Sequence, residues 1–302
     1  MDLKVKLRRL TLKNPVLTAS GTFGYGNEYS KLTNVNKLGG IITKTITLKP
    51  KIGNKPCRIV ETYGGMLNSI GLENIGLEEF IKQKLNQLWK IKTSVIASIA
   101  GSNPAEFVQL SKELDKIKLI KALELNLSCP NIHNENIVYG NSTEIVKETI
   151  RLVRESTDLP IITKLSPNVS NFMDLVLEAD KSQTDAVSLV NTFIGMAVDI
   201  NTRKPKIPNV TAGYSGPAIK PLALRYVWMV KKVSDVPIVG VGGIMNTADA
   251  LEYIIAGASA VACGTVNFIN PKAGTEIING LENYLERNKI DSISKLIGSI
   301  SC

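Results

Sequence analysis

Short apolar runs rich in β-branched residues alternate with amphipathic stretches along the whole chain. Such runs, bounded by polar or turn-forming residues, are typical of strands. The predicted strands are Val16–Ala19, Gly40–Lys44, Ser94–Ile99, Ala122–Leu127, Pro160–Leu165, Asp185–Val190, Pro237–Val241 and Ala258–Cys263. The segments between these runs have helical periodicity, most clearly at Leu77–Trp89, Pro104–Asp115, Ser142–Glu155, Leu222–Lys232 and Thr247–Ala256. This alternation predicts an α/β protein, either a closed barrel or a doubly wound sheet.

The residues at the ends of the predicted strands distinguish these two folds. Nearly every strand ends in small or polar residues, namely Ser20, Lys44, Thr45, Ser98, Asn126, Lys164, Asn191, Thr192, Gly242, Gly243, Gly264 and Thr265. A closed barrel brings all strand ends to one mouth, whereas an open sheet binds ligands at a switch point. We therefore predict one (β/α)8 TIM-barrel domain spanning residues 1–302. The long connections 45–75 and 192–221 are expected to extend over its active site.

Composition and charge narrow the class of protein. No apolar run approaches the roughly 20 residues that a membrane span needs, so we expect a cytoplasmic protein without membrane association. The net charge of +9 fits an anionic ligand. Its lysines are dispersed, and no dense basic block is interleaved with aromatic residues, so nucleic-acid binding is not indicated.

Cysteine and histidine usage argues against a metal site. The four cysteines, Cys57, Cys129, Cys263 and Cys302, form no C-x-x-C pair and no zinc or iron–sulfur pattern. The single histidine, His133, excludes a multi-histidine site. Whether His133 has a catalytic role stays open.

Glycines at the ends of the last two predicted strands suggest a phosphate site. Gly242-Gly243 follows the seventh strand and Gly264-Thr265 follows the eighth. In barrels, the loops after these strands often bind phosphate through exposed backbone N–H groups. Tight turn geometry alone could also require glycine. No G-x-G-x-x-G motif is present, so a direct nicotinamide dinucleotide site is not indicated.

Two lysines and one thiol complete the candidate chemistry. Lys44 and Lys164 lie at the ends of two predicted strands and face the same mouth, where they could stabilise negative charge on a ring or substrate. In the segment 124–131, Cys129 follows the end of the apolar run and precedes Pro130. This position favours a thiol that acts as nucleophile or general base over a core cysteine. An unperturbed thiol pKa of about 8.5 predicts activity that rises toward alkaline pH.

Taken in order, these segments resemble the class 1 dihydroorotate dehydrogenases over almost the full length. The similar segments are 14–21, 68–72, 126–131, 191–192, 215–221, 242–243 and 264–265. The resemblance implies FMN-dependent oxidation of (S)-dihydroorotate to orotate in de novo pyrimidine synthesis, with hydride transfer from C6 to flavin N5. It also implies that Cys129 is the base that removes the C5 proton, because cysteine is typical of class 1 at this position and serine of class 2.

The same resemblance assigns binding roles to individual residues. The substrate residues it implies are Lys44, Asn68, Ser69, Ile70, Gly71, Leu72, Asn126, Asn131, Asn191 and Thr192. The FMN contacts it implies are Ser20, Lys44, Thr45, Ser98, Asn126, Lys164, Val190, Gly216, Gly242, Gly243, Gly264 and Thr265. Side-chain amides both donate and accept, which suits the edge of a pyrimidine ring. Ser98 stands where many class 1B members have asparagine, which puts that one contact in doubt.

Segments 191–197 and 201–205 look like class 1B in particular. That subclass combines a homodimeric FMN core with an electron-transfer subunit carrying FAD and a 2Fe-2S cluster, in a heterotetramer that reduces NAD. The main alternative is a homodimeric, fumarate-reducing class 1A enzyme with the same active site. More remote alternatives are a tRNA dihydrouridine synthase, which would need an added RNA-binding domain, and a non-catalytic flavin- or phosphate-binding barrel.

Overall fold

A computed structural model describes residues 1–127 and 142–301 of the chain. Its centre is a closed barrel of parallel strands that neighbour one another in chain order. The barrel strands are β1 (Val16–Thr18), β2 (Gly40–Ile42), β3 (Ser94–Ile99), β4 (Ile120–Asn126), β5 (Ile161–Lys164), β6 (Ala186–Leu189), β7 (Ile238–Val241) and β8 (Ala260–Cys263). β8 pairs with β1 and closes the ring, which confirms the predicted (β/α)8 fold.

Helices surround the barrel and cover its apolar outer face. The α-helices are Pro104–Asp115, Thr143–Ser156, Phe172–Lys181, Lys220–Lys231, Thr247–Ala256, Val266–Ile269 and Ala273–Arg287. A further helical stretch consists of Gly76–Glu79 (α), Phe80–Lys84 (π) and Leu85–Leu88 (α). Short 3₁₀ turns lie at Asn27–Tyr29, Val35–Lys37, Pro217–Ile219 and Ile293–Leu296.

Local sequence explains where several helices begin. The side chain of Asn103 accepts a hydrogen bond from the Glu106 N–H at 3.0 Å, and Pro104 occupies the first helical position. The side chain of Asn246 accepts in the same way from the Asp249 N–H at 3.1 Å. Both residues satisfy backbone donors that a helix start leaves without partners.

An N-terminal hairpin, Val5–Leu7 and Leu10–Leu12, packs at the N-terminal end of the barrel. The Arg9 side chain binds both carboxylate oxygens of Asp185, at 2.8 and 2.6 Å. Because Asp185 immediately precedes β6, this ion pair lies at the opposite end of the strands from the polar residues predicted to form the site.

A second sheet, which the sequence pattern did not predict, joins the two long loops. Its antiparallel strands run in the order Phe193–Met196, Thr211–Ser215, Gly65–Asn68, Ile59–Thr62. We call these strands the loop sheet. A small two-stranded ribbon, Val198–Asp199 with Lys204–Pro205, extends from it. In the described part of the chain, no helix combines the length and apolarity required to cross a bilayer.

Candidate active site

A cavity of about 730 Å³ opens where the barrel strands end and the loop sheet begins. Volumes of about 300–1,000 Å³ are typical of small-molecule sites. Residues from the ends of β1, β2, β4, β5, β6, β7 and β8 line this cavity together with the loop sheet. The predicted site residues that line it are Ser20, Lys44, Thr45, Asn68, Ser69, Ile70, Gly71, Leu72, Asn126, Lys164, Val190, Asn191, Thr192, Gly216, Gly242, Gly243, Gly264 and Thr265.

One described residue among those predicted for the site, Ser98, is not among those lining the cavity. Ser98 is fully buried beneath it, and its hydroxyl lies 3.0 Å from the Thr45 hydroxyl. Cys129 and Asn131, like His133, lie outside the described residues. For Ser98, the geometry supports contact with Thr45 in place of direct contact with a ligand.

Both predicted lysines reach the cavity, in different surroundings. Lys164 is 5% exposed, and its Nζ donates to Ser20 Oγ at 3.1 Å. Lys44 lies 3.8 Å from a carboxylate oxygen of Glu73, whose same oxygen accepts from Arg58 at 2.7 Å. The cavity therefore carries cationic groups from two different strands, which suits an anionic ligand.

Gly243 and Gly264 are glycines for different reasons. Gly243 has φ +68°, and an added Cβ would lie 2.8 Å from the backbone nitrogen of Lys220, so the turn itself demands glycine. At Gly264 the nearest atom to an added Cβ is the Cβ of Ala19, at 3.7 Å. Because Gly264 lines the cavity, the absence of a side chain leaves its backbone open to a ligand.

Partly buried hydrogen bonds support the turn after β7 from behind. Lys220 donates to Asp249 Oδ1 at 2.7 Å, while Asp249 Oδ2 accepts from the Met245 N–H at 2.8 Å. Hydrogen bonds to Asp249 and Glu252 raise the pKa of Lys220, so the lysine stays charged at neutral pH. The Tyr253 hydroxyl donates to the Gly242 carbonyl at 2.6 Å. These contacts brace the glycine turn against the helices behind it.

Polar residues missed by the sequence analysis also line the cavity. Asn168 donates to the Thr192 carbonyl at 2.9 Å and accepts from the Ile194 N–H at 2.9 Å, which anchors the loop sheet to the end of β5. Glu73 supplies the carboxylate beside Lys44. The polar segment 164–168 at the end of a strand could have indicated Asn168. The pairing of Glu73 with Lys44 depends on how a long loop folds back.

The thiols in the described residues differ in exposure. Cys263 is buried at the end of β8, and burial raises the pKa of its thiol to about 12. Cys57 is exposed on a loop. Neither lines the cavity. Among the described residues, no group of three or more histidine, cysteine or acidic side chains could hold a metal ion.

Comparisons with known proteins point to one family over nearly the whole chain. Residues 2–285 match the family model described as dihydroorotate dehydrogenase. The chain is 50% identical over 301 residues to a protein of Caldicellulosiruptor saccharolyticus, covering 100% of both chains. It is 48% identical over 299 residues to one of Geotalea uraniireducens, covering 99% of this chain and 98% of the relative. Both relatives are named dihydroorotate dehydrogenase B (NAD(+)), catalytic subunit.

Proposed function

The chain belongs to the dihydroorotate dehydrogenase family, and from this we propose that it oxidises dihydroorotate to orotate, a step of pyrimidine synthesis, as an NAD-linked catalytic subunit. The observation that carries the proposal is the convergence of strand-end polar residues on one cavity of about 730 Å³. The relatives match this chain over nearly their full length and are named as type B enzymes. Their names favour this subclass over the fumarate-reducing alternative.

The residues around the cavity fit FMN as the bound flavin. Gly264 presents bare backbone where a Cβ would project beside Ala19, and the neighbouring Thr265 hydroxyl lies 2.9 Å from that of Ser215. This corner suits a phosphate group, which binds well to exposed N–H groups and hydroxyls. Lys164, deeply buried beside Ser20, suits the negative charge that a reduced flavin gains around N1 and O2. When bound, FMN would supply the hydride acceptor.

The protein's own residues bind and orient the pyrimidine and remove its proton. Orotate and dihydroorotate carry a carboxylate, carbonyls and ring N–H groups. Asn68, Asn126 and Asn191 line the cavity and can satisfy both donors and acceptors on such a ring. Lys44, held near Glu73, is proposed to bind the carboxylate. The loop sheet covers the site and limits the access of water.

Cys129 is proposed as the general base. It follows β4 by three residues, in the segment that continues from the cavity-lining Asn126. Its thiolate would take the proton from C5 while the hydride leaves C6, so that the C5–C6 bond becomes a double bond. Asn131, in the same segment, is proposed as a further substrate contact.

The electrons would leave through a second protein subunit. Among the described residues no cluster could hold a metal ion, and the sequence has no iron–sulfur cysteine pattern. We propose a homodimeric core that binds an electron-transfer subunit with FAD and a 2Fe-2S cluster, as a heterotetramer.

Acceptor assays test this subclass assignment. The purified chain is incubated with dihydroorotate and either NAD or fumarate, with and without the co-expressed electron-transfer subunit. We expect orotate formation with NAD only when the second subunit is present. Efficient turnover with fumarate by the chain alone would instead establish a class 1A enzyme.

A further inference from the structure

A row of buried polar side chains leads from the interior of the barrel to the floor of the cavity. Glu124 lies on β4 two residues before Asn126, so both side chains point to the same side of the strand, with Glu124 one layer deeper. Glu124 and Ser98 are both fully buried, and they are direct partners in the register of β3 and β4. Neither lines the cavity, whereas Thr45 and Asn126 do.

Hydrogen bonds connect these residues in sequence. Ser98 Oγ donates to Glu124 Oε1 at 3.0 Å, and the hydroxyls of Ser98 and Thr45 lie 3.0 Å apart. Asn126 Nδ2 reaches Thr45 Oγ1 at 3.5 Å. Glu124 Oε2 is buried and has no hydrogen-bond partner in the described part of the chain. A buried carboxyl group so far from solvent is costly, and no described ion pair includes it.

The hydrogen bond from Ser98 to Glu124 sets the direction of the whole row. Because the Ser98 proton is directed to Glu124, the Ser98 oxygen is left to accept from the Thr45 hydroxyl. The Thr45 proton then points down into the barrel, and its remaining lone pair faces the cavity. Thr45 would thus accept from a ligand N–H but would not donate to a ligand carbonyl. Polar chains of this kind polarise one another in a low-dielectric interior.

The geometry points to Glu124 and Ser98 as positioning residues that hold Thr45 as an acceptor for a ring N–H of the bound flavin. This inference rests on the proposed function, because it takes FMN as the ligand above Thr45. It also gives Ser98 a role in FMN binding that requires no direct contact with the cofactor.

Flavin-free protein titrated with FMN tests the inference through quenching of flavin fluorescence. The variants are Thr45→Val, Ser98→Ala, Glu124→Gln and the double variant Ser98→Ala/Glu124→Gln. Glutamine can donate as well as accept, so it no longer holds the Ser98 proton in one direction. We expect Ser98→Ala and Glu124→Gln each to weaken FMN binding about three- to tenfold, the scale of one hydrogen bond. The double variant should bind no more weakly than Ser98→Ala, because Glu124 acts only through Ser98.

Ser111→Ala is the matched control. Ser111 is another fully buried serine, and its hydrogen bond in the described part of the chain runs within its own helix to the Phe107 carbonyl at 2.7 Å, so its removal should leave FMN affinity unchanged. Additive losses in the double variant would show a merely structural role and overturn the inference. Native affinity in Ser98→Ala, with weakened binding in Thr45→Val, would overturn it as well. If the unaltered chain failed to bind FMN, the proposed function itself would fail.

Discussion

The Nζ of Lys164 donates to the Oγ of Ser20 at 3.1 Å across the mouth of the barrel. Lys164 ends β5 and Ser20 follows β1, and these strands stand on opposite sides of the ring. The lysine therefore extends over the floor of the cavity and does not turn out to solvent. This position explains how a side chain that is 5% exposed can serve an anionic ligand.

Lys164→Met should weaken FMN retention while it preserves the apolar part of the side chain. Loss of a charge-assisted hydrogen bond predicts a drop in affinity of tenfold or more. Equilibrium titration of flavin-free protein measures the change. Lys121→Met is the control, because Lys121 lies on neighbouring β4 but is exposed outside the barrel. An equal effect in both variants would remove Lys164 from the flavin site.

Alanine at two glycines should separate phosphate binding from turn geometry. Among the described residues, the Cβ of Gly264→Ala meets only Ala19, at 3.7 Å, so thermal stability should stay near that of the parent while FMN affinity falls. In Gly243→Ala, the alanine must adopt the positive φ of this turn, and its Cβ would lie 2.8 Å from Lys220. The substitution should cost about 1–2 kcal/mol of folding free energy. Unfolding curves and FMN titrations of both variants provide the comparison. Unchanged affinity in Gly264→Ala would place the phosphate elsewhere.

Cys129→Ala should retain bound flavin and lose most turnover. The base contributes to proton removal and not to cofactor binding, and a general base typically accounts for a factor of about 10²–10⁴ in rate. The flavin absorbance of the purified variant and its rate of orotate formation test both parts. Near-native turnover would disprove the assignment of the base.

The pH dependence should follow the thiol at Cys129. With a pKa of about 8.5, kcat/KM should rise about tenfold per pH unit below that value and then level off. Cys263 cannot account for such a profile, because burial raises its pKa to about 12. Iodoacetamide inactivation should show the same rise in the Cys57→Ser variant, which lacks the exposed thiol. If the Cys57→Ser variant no longer showed this rise, the pH-dependent inactivation would be due to Cys57 and not to Cys129.

Sequence patterns were sufficient for the barrel because its strands depend on local features. Ser94–Ile99 and Pro104–Asp115 have the predicted bounds, since apolar runs and a proline at a helix start act within a few residues. The small and polar residues at the predicted strand ends identified most of the cavity lining, because parallel strands around a closed ring must all end at one side.

The remaining features depend on contacts between distant segments. In the loop sheet, Gly65–Asn68 pairs with Thr211–Ser215. Local hydrophobic periodicity cannot identify a pairing partner so far along the chain. Ser98 illustrates a finer limit. The resemblance to the class 1 enzymes implied contact between Ser98 and the cofactor, whereas its full burial beneath Thr45 depends on the three-dimensional layering of the barrel.

Anaerobic mixing of the purified, FMN-loaded chain with dihydroorotate tests the central claim most directly. The flavin absorbance is followed by stopped flow, and orotate is quantified in the same sample. We predict prompt bleaching with one orotate formed per flavin reduced, followed by no reoxidation on addition of NAD alone. A well-bound flavin that remains oxidised in the presence of dihydroorotate would contradict the assignment of the substrate.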